Sequence, residues 1–233
     1  MPGTMINIPT TDGNSFDGYL AIPDGGSGPG ILVLQEIFGV NYFMRETCHR
    51  LAAQGYLALC PDLFWRQNPN VELSDMTKGE WAKAFELYQG FDMEAGIKDS
   101  NSALEHLRSE DKCSGKIGAV GYCLGGMLAY MVAARTKVDA SVGYYGVGIQ
   151  EALHESTNIR NPHMMHLAQL DQFVPKEAQD LINNHFLENP KVTIHSYANV
   201  DHAFARTGGE HYTEVAAELA NSRTAQFFEE HLL

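Results

Sequence analysis

Apolar positions along this chain follow two alternating rhythms. Met5–Pro9 and Phe16–Ile22 alternate apolar with polar residues around a Thr11-Asp12-Gly13-Asn14 turn, which predicts an edge hairpin. Short apolar runs then predict strands at Ile31–Leu34, Tyr56–Cys60, Ile117–Val120, Ala140–Tyr144, His163–Leu167 and Val192–Tyr197. Between them lie stretches with helical spacing. Asn41 is placed to cap a helix reaching Gln54, with Phe43, Thr47 and Leu51 on one face and Gly55 as its stop. Further helices are predicted over Lys78–Tyr88, Met93–Ser109, Leu124–Ala134, Pro175–Leu187 (Pro175 in its first turn) and Thr213–Leu232. Trp65–Ser74 is polar and broken by Pro69, so it reads as a loop. Strand–helix alternation of this kind predicts an α/β fold, a mostly parallel sheet with helices on both faces. In such sheets ligands bind beyond the carboxyl ends of the strands.

Composition narrows the partners. A chain of 233 residues suits one domain over 1–233, with a full core. A formal charge of −13 disfavours nucleic acid and anionic membranes, which need a basic surface. The first residues lack the basic and apolar regions of a signal peptide, and no apolar run is long enough to cross a bilayer. Cys48, Cys60, Cys113 and Cys123 are scattered and form no C-x-x-C pair. That pattern fits a reducing cytoplasm with neither a disulfide framework nor a zinc site. No apolar stripe is left over, so a monomer is expected.

The densest chemical signal is Gly121-Tyr122-Cys123-Leu124-Gly125 between a strand and a helix. It has the form of a nucleophile elbow with cysteine in the serine position. The same five residues also fit a Gly-rich turn with an inert, buried thiol. Two further loops shift the balance. Asp171 follows the His163–Leu167 strand, and His202 follows Val192–Tyr197. Nucleophile, acid, histidine is the chain order of α/β-hydrolases. Cys123 would attack an acyl carbon, His202 would move the proton, and Asp171 would fix the imidazole tautomer. The N–H groups of Ile37 and Leu124 would form the oxyanion hole. Taken alone, Asp171 reads as a turn residue before it reads as a catalytic acid, with Asp201 as its competitor. His163 and His166 lie three apart on one strand and point to opposite faces, so they read as packing residues.

With those residues in place the chain resembles the dienelactone hydrolase (carboxymethylenebutenolidase) family over essentially its whole length. The likeness rests on Gln35 to Asn41, Met44 to Glu46, Gly55-Tyr56, Cys60 to Leu63, Phe91 to Ala95, Gly121 to Gly126, Gly143 to Gly148 and His202 to Arg206. The resemblance implies an enzyme that opens a lactone or activated ester with a Cys123–His202–Asp171 triad and without cofactor or metal. It also implies that Glu36 pairs with Arg206 until a substrate carboxylate engages the arginine, whereupon Glu36 takes the thiol proton. Without the resemblance, Glu36–Arg206 reads as a structural ion pair.

This chain departs from the family's pattern at the pocket. Trp81 stands where a second arginine is usual, Phe85 where a tyrosine is usual, Tyr88 where a tryptophan is usual, and Ala203 replaces a serine. Together with Phe38 and Tyr145, these residues imply a more apolar substrate site. A bulky, neutral, activated ester or lactone is the expected substrate. The alternatives are a broad esterase with some activity on activated phosphotriesters, or a non-catalytic thiol redox sensor or ligand binder on the same scaffold.

Overall fold

A computed structural model describes residues 3–233. The strands are β1 (Thr4–Pro9), β2 (Ser15–Ala21), β3 (Gly28–Leu34), β4 (Leu57–Pro61), β5 (Cys113–Tyr122), β6 (Ala140–Tyr144), β7 (His163–Ala168) and β8 (Val192–Tyr197). They form one eight-stranded sheet in the order β1-β2-β4-β3-β5-β6-β7-β8. β1 and β2 are an antiparallel hairpin laid against β4, and from β4 through β8 every pairing is parallel.

The helices are α1 (Tyr42–Ala53), α2 (Lys78–Gln89), α3 (Met93–Ser109), α4 (Leu124–Arg135), α5 (Lys176–Phe186) and α6 (Glu214–Leu232). Their starts are written in side chains. Asn41 accepts from the Met44 N–H, Thr77 from the Glu80 N–H and Asp92 from the Ala95 N–H. Glycines on neighbouring strands show which helix covers which face. Leu107 of α3 packs over Gly30, whereas Phe228 and Leu232 of α6 pack over Gly118 on the other side. α1 shares the face of α6, and α4 contacts α3. The central strands are therefore buried on both sides, and β3, β4 and β6 have no exposed residue.

Several boundaries differ from the sequence expectation. β3 starts at Gly28 rather than Ile31, and β5 at Cys113 rather than Ile117, because the two strands pair from Gly28–Cys113 onward. Tertiary pairing overrides the poor strand propensity of Gly28-Pro29-Gly30. Pro175 precedes α5 as its cap residue instead of lying in its first turn. The Trp65–Ser74 loop is irregular as expected but anchored. Arg66 makes a two-pronged contact with buried Asp99, and Gly39 bridges to Glu72. Two 3-10 turns, Ile149–Glu151 and Leu153–Asn158, had no sequence signal. Among the described residues no helix is long and apolar enough to cross a membrane.

Candidate active site

The carboxyl ends of four parallel strands deliver the candidate residues to one rim. Glu36 follows β3, Cys123 follows β5, Asp171 follows β7 and His202 follows β8. At Cys123 the backbone turns through φ 56° and ψ −114°, so the side chain projects from the sharp corner between β5 and α4. Two glycines make the corner possible. A Cβ on Gly121 would sit 1.8 Å from the Gly125 oxygen, and one on Gly125 would sit 2.1 Å from the Leu34 oxygen. The sequence between them is therefore an elbow and not a generic turn.

His202 joins the other two groups. Its Nδ1 lies 2.8 Å from Asp171 Oδ2, and both side chains are buried. Asp171 Oδ1 accepts from the Phe173 and Val174 N–H groups at 2.8 and 3.1 Å, which fixes the carboxylate. Asp201, the competing acid, instead turns back to the His202 N–H. Burial alone disfavours charge on His202. The adjacent Cys123 charge, with the hydrogen bonds that the ring donates to Asp171 and Cys123, outweighs burial and raises the imidazole from its ordinary 6.5 to about 10. The charged imidazole is therefore the favoured form at neutral pH.

The sign of that shift sets a pH dependence. The imidazolium's contribution to stability is fully present below about 6.5 and is lost as pH rises through about 10. By NMR, the His202 ring protons are expected to stay in the charged position from pH 6 to 9. In Cys123→Ala, which removes the sulfur, the titration should move toward neutral pH. An unshifted midpoint in the variant would show that the sulfur does not set the ring's charge.

Cys123 and His202 face a cleft of about 380 Å³, including its mouth. Ile37, Phe38, Trp81, Phe85, Tyr88 and Arg206 line it. Trp81 stacks on Phe85 and meets Phe38 edge-on, and its Nε1–H is held by the Asp75 carbonyl at 2.9 Å. Among the described residues the Ile37 N–H finds no acceptor. Leu124 is the first residue of α4, where a helix leaves its N–H free. Tyr145 is a correction. With φ 40° its ring turns beneath His202, 5.0 Å away between centroids; it is fully buried and does not line the cleft. It supports the imidazole rather than touching substrate space.

Glu36 and Arg206 meet as expected, with Oε2 and Nε 2.9 Å apart. The separation suits an ion contact, yet both Glu36 oxygens and Arg206 Nε lack an aligned hydrogen bond, so the contact is close but poorly directed. Burial pushes the Glu36 carboxyl up, against the pull of Arg206 and His202. Three site residues escaped the sequence reading. Phe173 packs edge-on to His202, Val147 lines the cleft, and Asp75 lies 2.6 Å from Arg206 Nη1. Phe173 and Val147 sit within segments that carried other signals. Asp75 had no signal of its own.

His163 and His166 are packing residues. His163 bonds Ser141, and His166 bonds Tyr197 and Thr224. Burial, only partly offset by Ser141, takes His163 down to about 3 and keeps it neutral. Among the described residues no group of three or more His, Cys, Asp or Glu side chains is arranged to hold a metal ion.

The sequence model of the dienelactone hydrolase family matches residues 16–232. The chain belongs to the dienelactone hydrolase family. It is 43% identical over 222 residues to a carboxymethylenebutenolidase of Pseudomonas putida, covering 95% of this chain and 94% of that one. A protein of Azospirillum brasilense, provisionally given the same enzyme name, is 48% identical over 231 residues and covers 98% and 99% of the two chains. Among solved structures, a dienelactone hydrolase-like promiscuous phosphotriesterase from metagenomic libraries superposes with a TM-score of 0.83. It is 22% identical, and each chain is covered to 100%. As a dienelactone hydrolase-family member with the α/β-hydrolase fold, the chain is a hydrolase of esters or lactones.

Proposed function

We propose that this domain cleaves a lactone or an activated ester through covalent catalysis by Cys123. The supporting observation is that His202 Nδ1 meets Asp171 at 2.8 Å while His202 and Cys123 are neighbours on the wall of one cleft. The Cys123 sulfur attacks the acyl carbon, and the N–H groups of Ile37 and Leu124 receive the oxyanion. Collapse of the adduct expels the alcohol or enol oxygen, to which His202 gives its proton. Water activated by the then neutral His202 attacks the thioester and releases the acid and the thiol.

Thiolate leaves a tetrahedral adduct easily, so the partition favours acylation only when the leaving group is good. Enol lactones and aryl esters meet that condition. The apolar wall of Trp81, Phe85 and Phe38 supports a neutral, bulky substrate, and it is the observation that favours a second reading, turnover of activated phosphotriesters. The same reading has the chain acting as a cytoplasmic monomer on a small molecule, without a cofactor.

A covalent intermediate is the direct test. In the wild type, acid-quenched during turnover of p-nitrophenyl acetate, an acetyl group is expected on the peptide containing Cys123, seen by mass spectrometry, and no acetyl group on that peptide in Cys123→Ala. A panel of cis- and trans-dienelactone, aryl esters and an aryl phosphotriester then ranks substrates. An acetyl group on another residue, or none, would remove the covalent mechanism.

A further inference from the structure

Arg206 is a cation on the cleft wall, and two carboxylates hold it. Glu36 Oε2 lies 2.9 Å from its Nε and Asp75 Oδ2 lies 2.6 Å from its Nη1. The three side chains are 8% (Arg206), 1% (Glu36) and 6% (Asp75) exposed, so solvent screens them little. Phe38 covers one face of the guanidinium at 4.8 Å. Asp75 is itself fixed, since its Oδ2 accepts the Glu210 N–H at 3.1 Å and its carbonyl holds Trp81.

We propose that Asp75 is a specificity-determining residue that closes Arg206 to substrate carboxylates and thereby selects neutral acyl groups. The proposal deepens the hydrolase reading and rests on the cleft being its substrate site. A substrate carboxylate seeks two parallel N–H groups of a guanidinium. Here Asp75 stands on Nη1 and Glu36 on Nε, so each paired edge of the guanidinium (Nε/Nη2 and Nη1/Nη2) already has one nitrogen engaged, and a third carboxylate gripping either edge competes with a resident one. Displacement strands a buried carboxylate without its cation, which is costly. An incoming anion also meets two like charges for every opposite one, and like-charge contact penalises the wrong ligand strongly. A neutral acyl group meets neither obstacle and packs on Trp81 and Phe38. The excess negative charge is local, so the overall acidity of the chain does not account for it.

The test compares two substrates that differ by one methyl cap, p-nitrophenyl hemisuccinate and its methyl ester. Asp75→Asn removes the charge and keeps the shape, and is expected to raise the anionic-to-neutral ratio of kcat/KM about tenfold or more. Asp75→Glu keeps the charge and should stay near the wild-type ratio. A residue that only braced the loop would lower both rates together and leave the ratio alone. The same comparison is made without turnover, by calorimetry of 4-phenylbutyrate against 4-phenylbutanamide on a Cys123→Ala background. There the Asn variant should shift the Kd ratio toward the acid by a similar factor. An unchanged ratio in folded Asp75→Asn, or no binding of either probe to any of the proteins, overturns the proposal. Ester turnover that survives Cys123→Ala would instead sink the covalent mechanism while the calorimetric ratio still judged Asp75.

Discussion

Cys123→Ala is expected to lower kcat/KM for p-nitrophenyl acetate by about ten-thousand-fold, to the level set by the oxyanion donors and binding alone. The expectation depends on the substitution leaving the corner intact. Alanine keeps the Cβ that already tolerates φ 56° at this position, so the strain of the turn is unchanged. The melting temperature should therefore stay within a few degrees of wild type, and the loss is chemical rather than structural. Cys123→Ser completes the comparison. A hydroxyl at the same corner faces the same imidazole, but it is far harder to deprotonate than a thiol. In the wild type the neighbouring sulfur helps lift the ring to about 10, whereas a serine hydroxyl supplies no such charge and must give its proton to the imidazole during the attack itself. A rate at least about a hundredfold below wild type is expected for serine. Turnover by the alanine variant within tenfold of wild type would show that another group attacks.

The second large effect is on stability. Gly121→Ala should destabilise the protein by about 3 kcal/mol or more, and lower its melting temperature by about 10 °C. The new methyl group would lie 1.8 Å from the Gly125 oxygen and 2.3 Å from its carbonyl carbon. Both are backbone atoms at the start of α4, so relief requires moving the helix off the end of β5. Such a movement also carries Cys123 away from His202, and esterase activity should fall with stability. Gly79→Ala is the matched control, since a Cβ there meets nothing within 4 Å. It lies in the first turn of α2 and should be neutral or slightly stabilising. Thermal unfolding of the two variants side by side checks the claim. Equal melting temperatures would mean that the elbow is looser than its close contacts require.

The order of strands and helices was legible because each apolar run had the period and length of one element, and three of the six helices carried a capping side chain. Asn41 is the clearest case, its side chain bonding the Met44 N–H at 3.2 Å as the sequence predicts. Strand starts were less legible. Gly28, Pro29 and Gly30 have poor strand propensity, yet they pair because β5 runs beside them and Gly28 must pass the Gly55 oxygen closely. The convergence of Cys123, Asp171 and His202 was readable from chain order, since strands in a parallel sheet deliver their carboxyl ends to one side. Asp75 was not readable. Its partner Arg206 is far along the chain, and nothing in the residues around Asp75 marks it as more than a loop acid. Tyr145 failed for the opposite reason. Its sequence neighbourhood pointed to the site correctly, but a positive φ turned the ring beneath the imidazole instead of into the cleft.

His202 and Arg206 lie on the segment between β8 and α6, whereas Glu36 and Cys123 come from strands much earlier in the chain. During synthesis the sulfur is therefore made long before the imidazole that would charge it. A nascent chain that ends before residue 202 holds the cysteine without His202. On the proposed mechanism, reactivity of the thiol would arrive late, as a property of the finished sheet and not of any fragment.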